Sequence, residues 1–531
     1  MRPSSEQEAK GGLYLFKTCG SILPFTTDGY QLLRLWHECL GHAFYVFVFK
    51  NIRFAAPPVG DLRWEKPAPP LVQTGIQDGS SGFVCIQRVS SSPDSNSSQS
   101  ASSDLTSQFF SLLSAGNQSE DCLFLDVYVP GNAIRGWVKN LPVVVWIYGG
   151  SYSAGSKDGA QALGLYDGTG LISASGGNII VVVPNYRLGA YGFLSGKTVE
   201  NEGIANAGLH DQYSAFEWVN KYISLVGGDP SDVSAWGESA GAGSIYWLLT
   251  QEGGTKDPLF HRAIIQSAAF DNKFDRYGTM EQDFQTFATL AGCGGQGLAC
   301  LRAANASTLQ AVNAQFISSS PTVFGPAPDG KYFHQHPTVE YSQGNYWKEI
   351  TSLIPSHTID EAAVFVMPTN QTDADFTAYL NRVWPPYAVA AVFKTEIDRQ
   401  KALFSQSAFL CRIHVLTTAY AGKTHNVHVL GAPTPLWAII GGAGVSKAYQ
   451  SYLVSHARTG DPNTYRDILN IPPTIEWPPV GNLQGEYYTN VLNVSDSGFD
   501  IIQETEYNKT ICEFWVGIYT NTTNLGGYAP D

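Results

Sequence analysis

The chain has 531 residues, a formal net charge of −14 at pH 7 and only 15% charged residues. An acidic balance without a basic stripe excludes nucleic acid as a partner, and no apolar run reaches the ~18 residues of a transmembrane helix. With 44% hydrophobic and 12% aromatic residues, the composition excludes a disordered chain and supplies a large core.

Residues 1–44 carry no clear pattern and form an atypical N-terminal segment. Met1-Arg2 opens as an export signal does, but Glu6, Glu8 and Lys10 stand where its apolar stretch belongs, so no signal peptide is readable. A single domain is expected over 45–531. It begins with the strand Tyr45-Val46-Phe47-Val48-Phe49-Lys50 and the turn Ala56-Pro57-Pro58-Val59-Gly60. Between Cys85 and Cys122 lies a long loop, Ser-rich over 90–107, with an apolar patch at Phe109–Leu113. Residues 86–121 read as a lid, or as a segment tucked onto the surface.

Strands follow at Leu123–Tyr128, Pro142–Tyr148, Ile179–Val183, Val233–Trp236 and Ala263–Gln266, with a helix over Asn206–Leu225. Most of these strands are apolar on both alternating faces, as strands covered on both sides are. Their alternation with helices predicts a large, mostly parallel central sheet flanked by helices. The eight cysteines show no C-x-x-C or Cys/His zinc spacing, which favours disulfides and predicts no metal. Seven Asn-x-Ser/Thr sequons, from Asn96 to Asn521, point to a glycoprotein, although a chain of this composition holds roughly four by chance.

After Val233–Trp236 comes Gly237-Glu238-Ser239-Ala240-Gly241, then Ala242-Gly243-Ser244-Ile245. A G-x-S-x-G turn between strand and helix is the nucleophile elbow of the α/β-hydrolases, which lifts a serine hydroxyl above the sheet. The bare pattern arises by chance roughly half a time in a chain this rich in Gly and Ser, so the neighbours must carry it. Trp146-Ile147-Tyr148-Gly149-Gly150-Ser151 is a strand ending in a small-residue turn. The N–H groups of Gly150 and Ser151, with that of Ala240, have the character of an oxyanion hole.

Further blocks stand in a fixed order: Leu62-Arg63-Trp64, Ser119-Glu120-Asp121-Cys122-Leu123, Asn185-Tyr186-Arg187-Leu188-Gly189, Asn206-Ala207-Gly208-Leu209-His210-Asp211-Gln212, Gly227-Gly228-Asp229-Pro230 and Ile511-Cys512-Glu513-Phe514-Trp515. Over roughly residues 45–517 the chain resembles the type-B carboxylesterases, which include the cholinesterases and Candida-type fungal lipases. The resemblance implies an α/β-hydrolase fold and a Ser-Glu-His triad with Ser239 as nucleophile. It also implies disulfides Cys85–Cys122, Cys293–Cys300 and Cys411–Cys512, and ion pairs Arg63–Glu120 and Arg187–Asp211. Ile359-Asp360-Glu361-Ala362 fits the position of the acid, which puts Glu361 there with Asp360 as the alternative.

The base departs from the pattern. The family's histidine loop falls between Cys411 and Gly460-Asp461-Pro462-Asn463. His414 lies in the preceding helix and His456 too close to Gly460, which leaves His425 and His428. Neither is followed by the expected Gly and acid, and Gly431-Ala432-Pro433-Thr434-Pro435-Leu436 has no histidine. His428 is taken as the base acting through a remodelled loop. A lost base, or a short stretch missing from the sequence around 424–445, are the other readings.

The expected function is hydrolysis of small or lipid-like carboxylic esters through an acyl-enzyme, without cofactor. A lipase and an esterase that tailors secondary metabolites are alternative substrate classes. The Cys85–Cys122 loop has no Trp to hold a quaternary ammonium, which argues against choline esters. The non-enzymatic alternative is an impaired carboxylesterase-like binding protein. Family resemblance implies secretion.

Overall fold

Near-continuous apolar runs become the strands of one eleven-stranded sheet. The computed structural model describes residues 45–75, 77–87, 116–159, 166–270, 272–319, 324–364, 401–430, 444–469, 473–506 and 508–525, and the course of three strands before residue 45. The strands of the large sheet are β1 (Leu35–Cys39), β2 (Tyr45–Arg53), β3 (Phe124–Pro130), β4 (Leu141–Ile147), β5 (Ile180–Pro184), β6 (Gly228–Glu238), β7 (Arg262–Gln266), β8 (Ser352–Thr358), β9 (Val427–Val429), β10 (Val491–Ser495) and β11 (Gly498–Ile502). Their spatial order is β11-β10-β9-β8-β7-β6-β4-β5-β3-β2-β1.

From β10 across to β5 every neighbouring pair is parallel, and the two margins are antiparallel. Parallel strands need helical crossovers, which cover both faces. Val143, Val144, Val145, Ile180 and Val182 are accordingly fully buried. The helices that place the site are α1 (Ala207–Tyr222), α2 (Ala240–Leu248), α3 (Cys411–Ala419), α4 (Val445–Thr459) and α5 (Lys509–Leu525). The helix expected over Asn206–Leu225 is α1 continued by a 3-10 turn at Ile223–Val226. The strand before Ser239 is longer than Val233–Trp236 because it also pairs at Gly228, across an irregularity, with Leu141.

Disulfides join Cys85 to Cys122, Cys293 to Cys300 and Cys411 to Cys512. Arg63 and Glu120 form a buried two-point pair at 2.8 and 2.9 Å, and Arg187 and Asp211 another at 2.7 and 2.8 Å. Such pairs persist in a core because each charge is fully matched. Of the lid-like segment 86–121, residues 88–115 lie outside the described residues, as do the atypical segment's loops and residues 431–443. No helix among the described residues is long and apolar enough to cross a membrane.

Candidate active site

Ser239 occupies the turn between β6 and α2 with φ 53° and ψ −123°. A non-glycine residue adopts such a backbone only when its surroundings over-determine it. Here the Ser239 N–H donates to Gln266 O on β7 at 2.9 Å, while its carbonyl accepts from Gly243 and Ala269 at 2.9 and 3.1 Å. The flanking glycines are required by close approach. A Cβ on Gly241 would stand 2.0 Å from Ile147 O, and one on Gly237 would stand 2.6 Å from the Gly241 carbonyl carbon. The side chain that results is partly exposed at the carboxyl end of a central strand, where open parallel sheets hold their sites.

The turn after β4 lies against this serine. A Cβ on Gly149 would meet Glu238 Oε2 at 2.8 Å and Ser239 Cβ at 2.9 Å, so the carboxylate and the serine share one side of Gly149. Gly150, Ser151 and Tyr152 all have positive φ, at 116°, 54° and 57°. Among the described residues the N–H groups of Gly150, Ser151 and Ala240 donate no hydrogen bond. Burial first, then the charge of Glu361, pushes the Glu238 carboxyl up to about 8.

Glu361 follows β8 and is buried, 5% exposed. Its Oε1 accepts from Ser267 Oγ at 2.6 Å and from the Thr358 N–H at 2.7 Å. Burial raises this carboxyl's pKa and the two hydrogen bonds oppose it. Asp360, the alternative, points outward to Lys401 at 2.8 Å. Ser267 had no motif to announce it, because it reaches Glu361 only through the pairing of β7 with β8.

His428 is the residue the fold places elsewhere. The expected loop around it is strand β9, in which His428 pairs with His357 of β8. Counting β6, β7, β8 and β9 in order, His428 stands three strands from the level of Ser239, or about 14 Å at ordinary strand spacing. That gap exceeds what the two side chains and a hydrogen bond span. His428 Nε2 instead lies 3.2 Å from Glu506 Oε1, and its ring stacks on that of His357. His425 packs edge-on against Trp477, and His414 lies in α3 beside Tyr488. Among the described residues the Ser239 hydroxyl makes no hydrogen bond.

A strained serine between a central parallel strand and a helix, with the small-residue Gly149 turn against its side chain, is the arrangement of a serine hydrolase of the α/β type. Residues 40–409 match the profile of the Carboxylesterase family. The chain is similar to a protein described as a secreted lipase of Arthroderma benhamiae, with 43% identity over 77% of this chain and 85% of that protein. It is similar to lipase 1 of Geotrichum candidum, 30% identical over 79% of this chain and 84% of the relative. The fold matches the crystal structure of Aspergillus niger EstA with a TM-score of 0.73 at 27% identity, over 90% of this chain and 95% of that one. The chain belongs to the carboxylesterase family and is a serine carboxylic ester hydrolase. A Ser-His-Glu mechanism is typical of that family.

Proposed function

We propose that Ser239 attacks the ester carbonyl, that the Gly150, Ser151 and Ala240 N–H groups hold the oxyanion, and that Glu361 is the acidic member of the machinery. The observation that carries this reading is the strained Ser239 backbone, held by β7 and α2 with the Gly149 turn against its side chain. Attack forms the bond from Ser239 Oγ to the carbonyl carbon, the alcohol leaves, and water releases the acid from the acyl-enzyme. A fluorophosphonate probe tests it. Wild type should label at Ser239 and hydrolyse p-nitrophenyl butyrate, and Ser239→Ala should lose both. Folded wild type that neither labels nor turns over would refute the assignment.

Proton removal is the step with a second reading. His428 is the base that the family pattern points to, and its place on β9, three strands from the strand before Ser239, speaks against a direct proton transfer. Glu238 precedes the nucleophile in the chain, and its carboxylate lies on the same side of Gly149 as the Ser239 side chain, which makes it the second candidate acceptor. Its raised pKa suits it to accept a proton near neutrality, and the buried Glu361 charge is one reason for that raised value.

Substrates are proposed to be small or lipid-like carboxylic esters, by similarity to relatives named as lipases and esterases. Comparing p-nitrophenyl butyrate with emulsified long-chain triacylglycerol separates esterase from lipase preference. Secretion is proposed from three disulfides, which form in oxidising compartments, and from the relative described as secreted.

A further inference from the structure

Four side chains outside the Ser239 site converge at the carboxyl ends of β8 and β9. His357 and His428 are register partners on these parallel strands. Their side chains therefore leave the same face, and the rings stack with centroids 4.9 Å apart at 16°. The chain returning from β11 adds two carboxylates. Glu504 Oε2 lies 3.1 Å from His357 Nε2, and Glu506 Oε1 lies 3.2 Å from His428 Nε2. His357, His428 and Glu504 are 2%, 6% and 1% exposed, and one donor atom from each lies within 4.8 Å of the others.

We propose that His357, His428 and Glu504 bind a divalent cation of the zinc class, with Glu506 as a fourth donor at the rim. Three observations carry this. First, His428 is more than nine-tenths buried, yet neither ring nitrogen makes a hydrogen bond. Glu504 Oε2, also buried, has His357 Nε2 as its neighbour at 3.1 Å. Buried polar atoms left without a hydrogen bond are costly, and a cation meets them together with the carboxylate. Second, the Glu504 carboxylate is already aimed, because its Oε1 accepts from the Glu506 N–H at 2.8 Å and leaves Oε2 to face the histidines. Such a supporting bond is what orients a metal-binding carboxylate. Third, the donor set has a preference. Two imidazoles and a carboxylate suit zinc, whereas magnesium and calcium take oxygen donors. Two carboxylates also balance a double positive charge.

Tetrahedral zinc holds its donors about 3.4 Å apart. The donor atoms, now within 4.8 Å of one another, would draw together by up to about 1.4 Å on binding. The ion would tie β8, β9 and the segment after β11 across the sheet end that carries Ser239. Its role is to hold that end together, and no step of ester hydrolysis passes through it.

The test uses the full chain, stripped with chelator, desalted and titrated separately with Zn²⁺, Mg²⁺ and Co²⁺. The expected result is one zinc per chain with a Kd below about 1 μM, negligible magnesium binding, and the visible d–d bands of tetrahedral Co²⁺ with imidazole ligands. Glu504→Gln and His428→Gln, each checked for folding by circular dichroism, should weaken zinc by about 100-fold or more. Wild type that takes up no zinc overturns the proposal. So do folded variants that bind zinc as tightly as wild type, since the ion would then sit elsewhere. Should the variants fail to fold, the cobalt spectrum of wild type decides, and absence of tetrahedral imidazole bands overturns the site.

Discussion

The Ser267 hydroxyl at the end of β7 donates a 2.6 Å hydrogen bond to Glu361 Oε1, which lies after β8. The two residues are far apart in sequence, and the pairing of their strands alone brings them together. Ser267→Ala removes one of the two bonds that oppose the burial-driven rise of the Glu361 pKa. That pKa should rise further, so the acidic limb of the pH–rate profile moves to higher pH. The lost bond to a charged group should cost about 1.5–3 kcal/mol, measured by urea unfolding at pH 7. An unchanged midpoint together with an unchanged acidic limb would show that this contact does nothing.

Glu238→Gln and His428→Ala separate the two proton acceptors. If Glu238 accepts the proton, kcat/KM rises with pH through about 8 as its carboxylate forms. Glu238→Gln should then lower kcat by about 10²-fold or more and abolish that rise. His428→Ala, measured on folded protein, should keep most of the wild-type kcat. The reverse pattern, with His428→Ala inactive and Glu238→Gln active, would return the base to His428.

Gly241→Ala tests the elbow itself. The added Cβ would stand 2.0 Å from Ile147 O and 2.7 Å from its carbonyl carbon, both backbone atoms in the core. The turn must then move away from β4. We expect a loss of about 2 kcal/mol or more in thermal unfolding, and weak probe labelling even in the protein that stays folded. Wild-type labelling rates in this variant would mean that the turn tolerates displacement.

Acid stability should depend on histidines that play no part in the chemistry. Burial, aided by the charges of Lys66 and Arg187, lowers the His210 pKa to about 3. Burial also lowers His414, aided by Lys509, and His425, against the pull of Asp461, each to about 4. Unfolded histidine takes up a proton below about 6.5, whereas these three stay neutral when folded until far lower pH. The unfolded state thus binds more protons in that window. Unfolding free energy should fall as pH drops from about 6.5 toward 4, by up to ~1.4 kcal/mol per pH unit for each group. Replacing His425 with Phe should flatten the slope seen in urea titrations at successive pH values, and an unaltered slope would exclude His425 as a contributor.

The elbow, the Gly149-Gly150-Ser151 turn and the parallel strands were legible in the chain because each is a local pattern, whereas the Cys85–Cys122 pairing came only from the family resemblance. Steric need at Gly237 and Gly241, apolar periodicity and turn chemistry act over a few residues, and ordered motifs add up. By itself the sequence determined the family, the class of fold and the class of reaction.

Only the tertiary structure decided what surrounds those residues. Ser267 meets Glu361 through strand pairing. His428, read as part of a loop, is a strand residue whose neighbours are His357 and Glu506. The spacing argument against a metal looked for donors close together in the chain, whereas His357 and His428 become neighbours through the register of β8 on β9. Hydrogen-bond register between distant strands sets such meetings, and no local preference of the backbone encodes it.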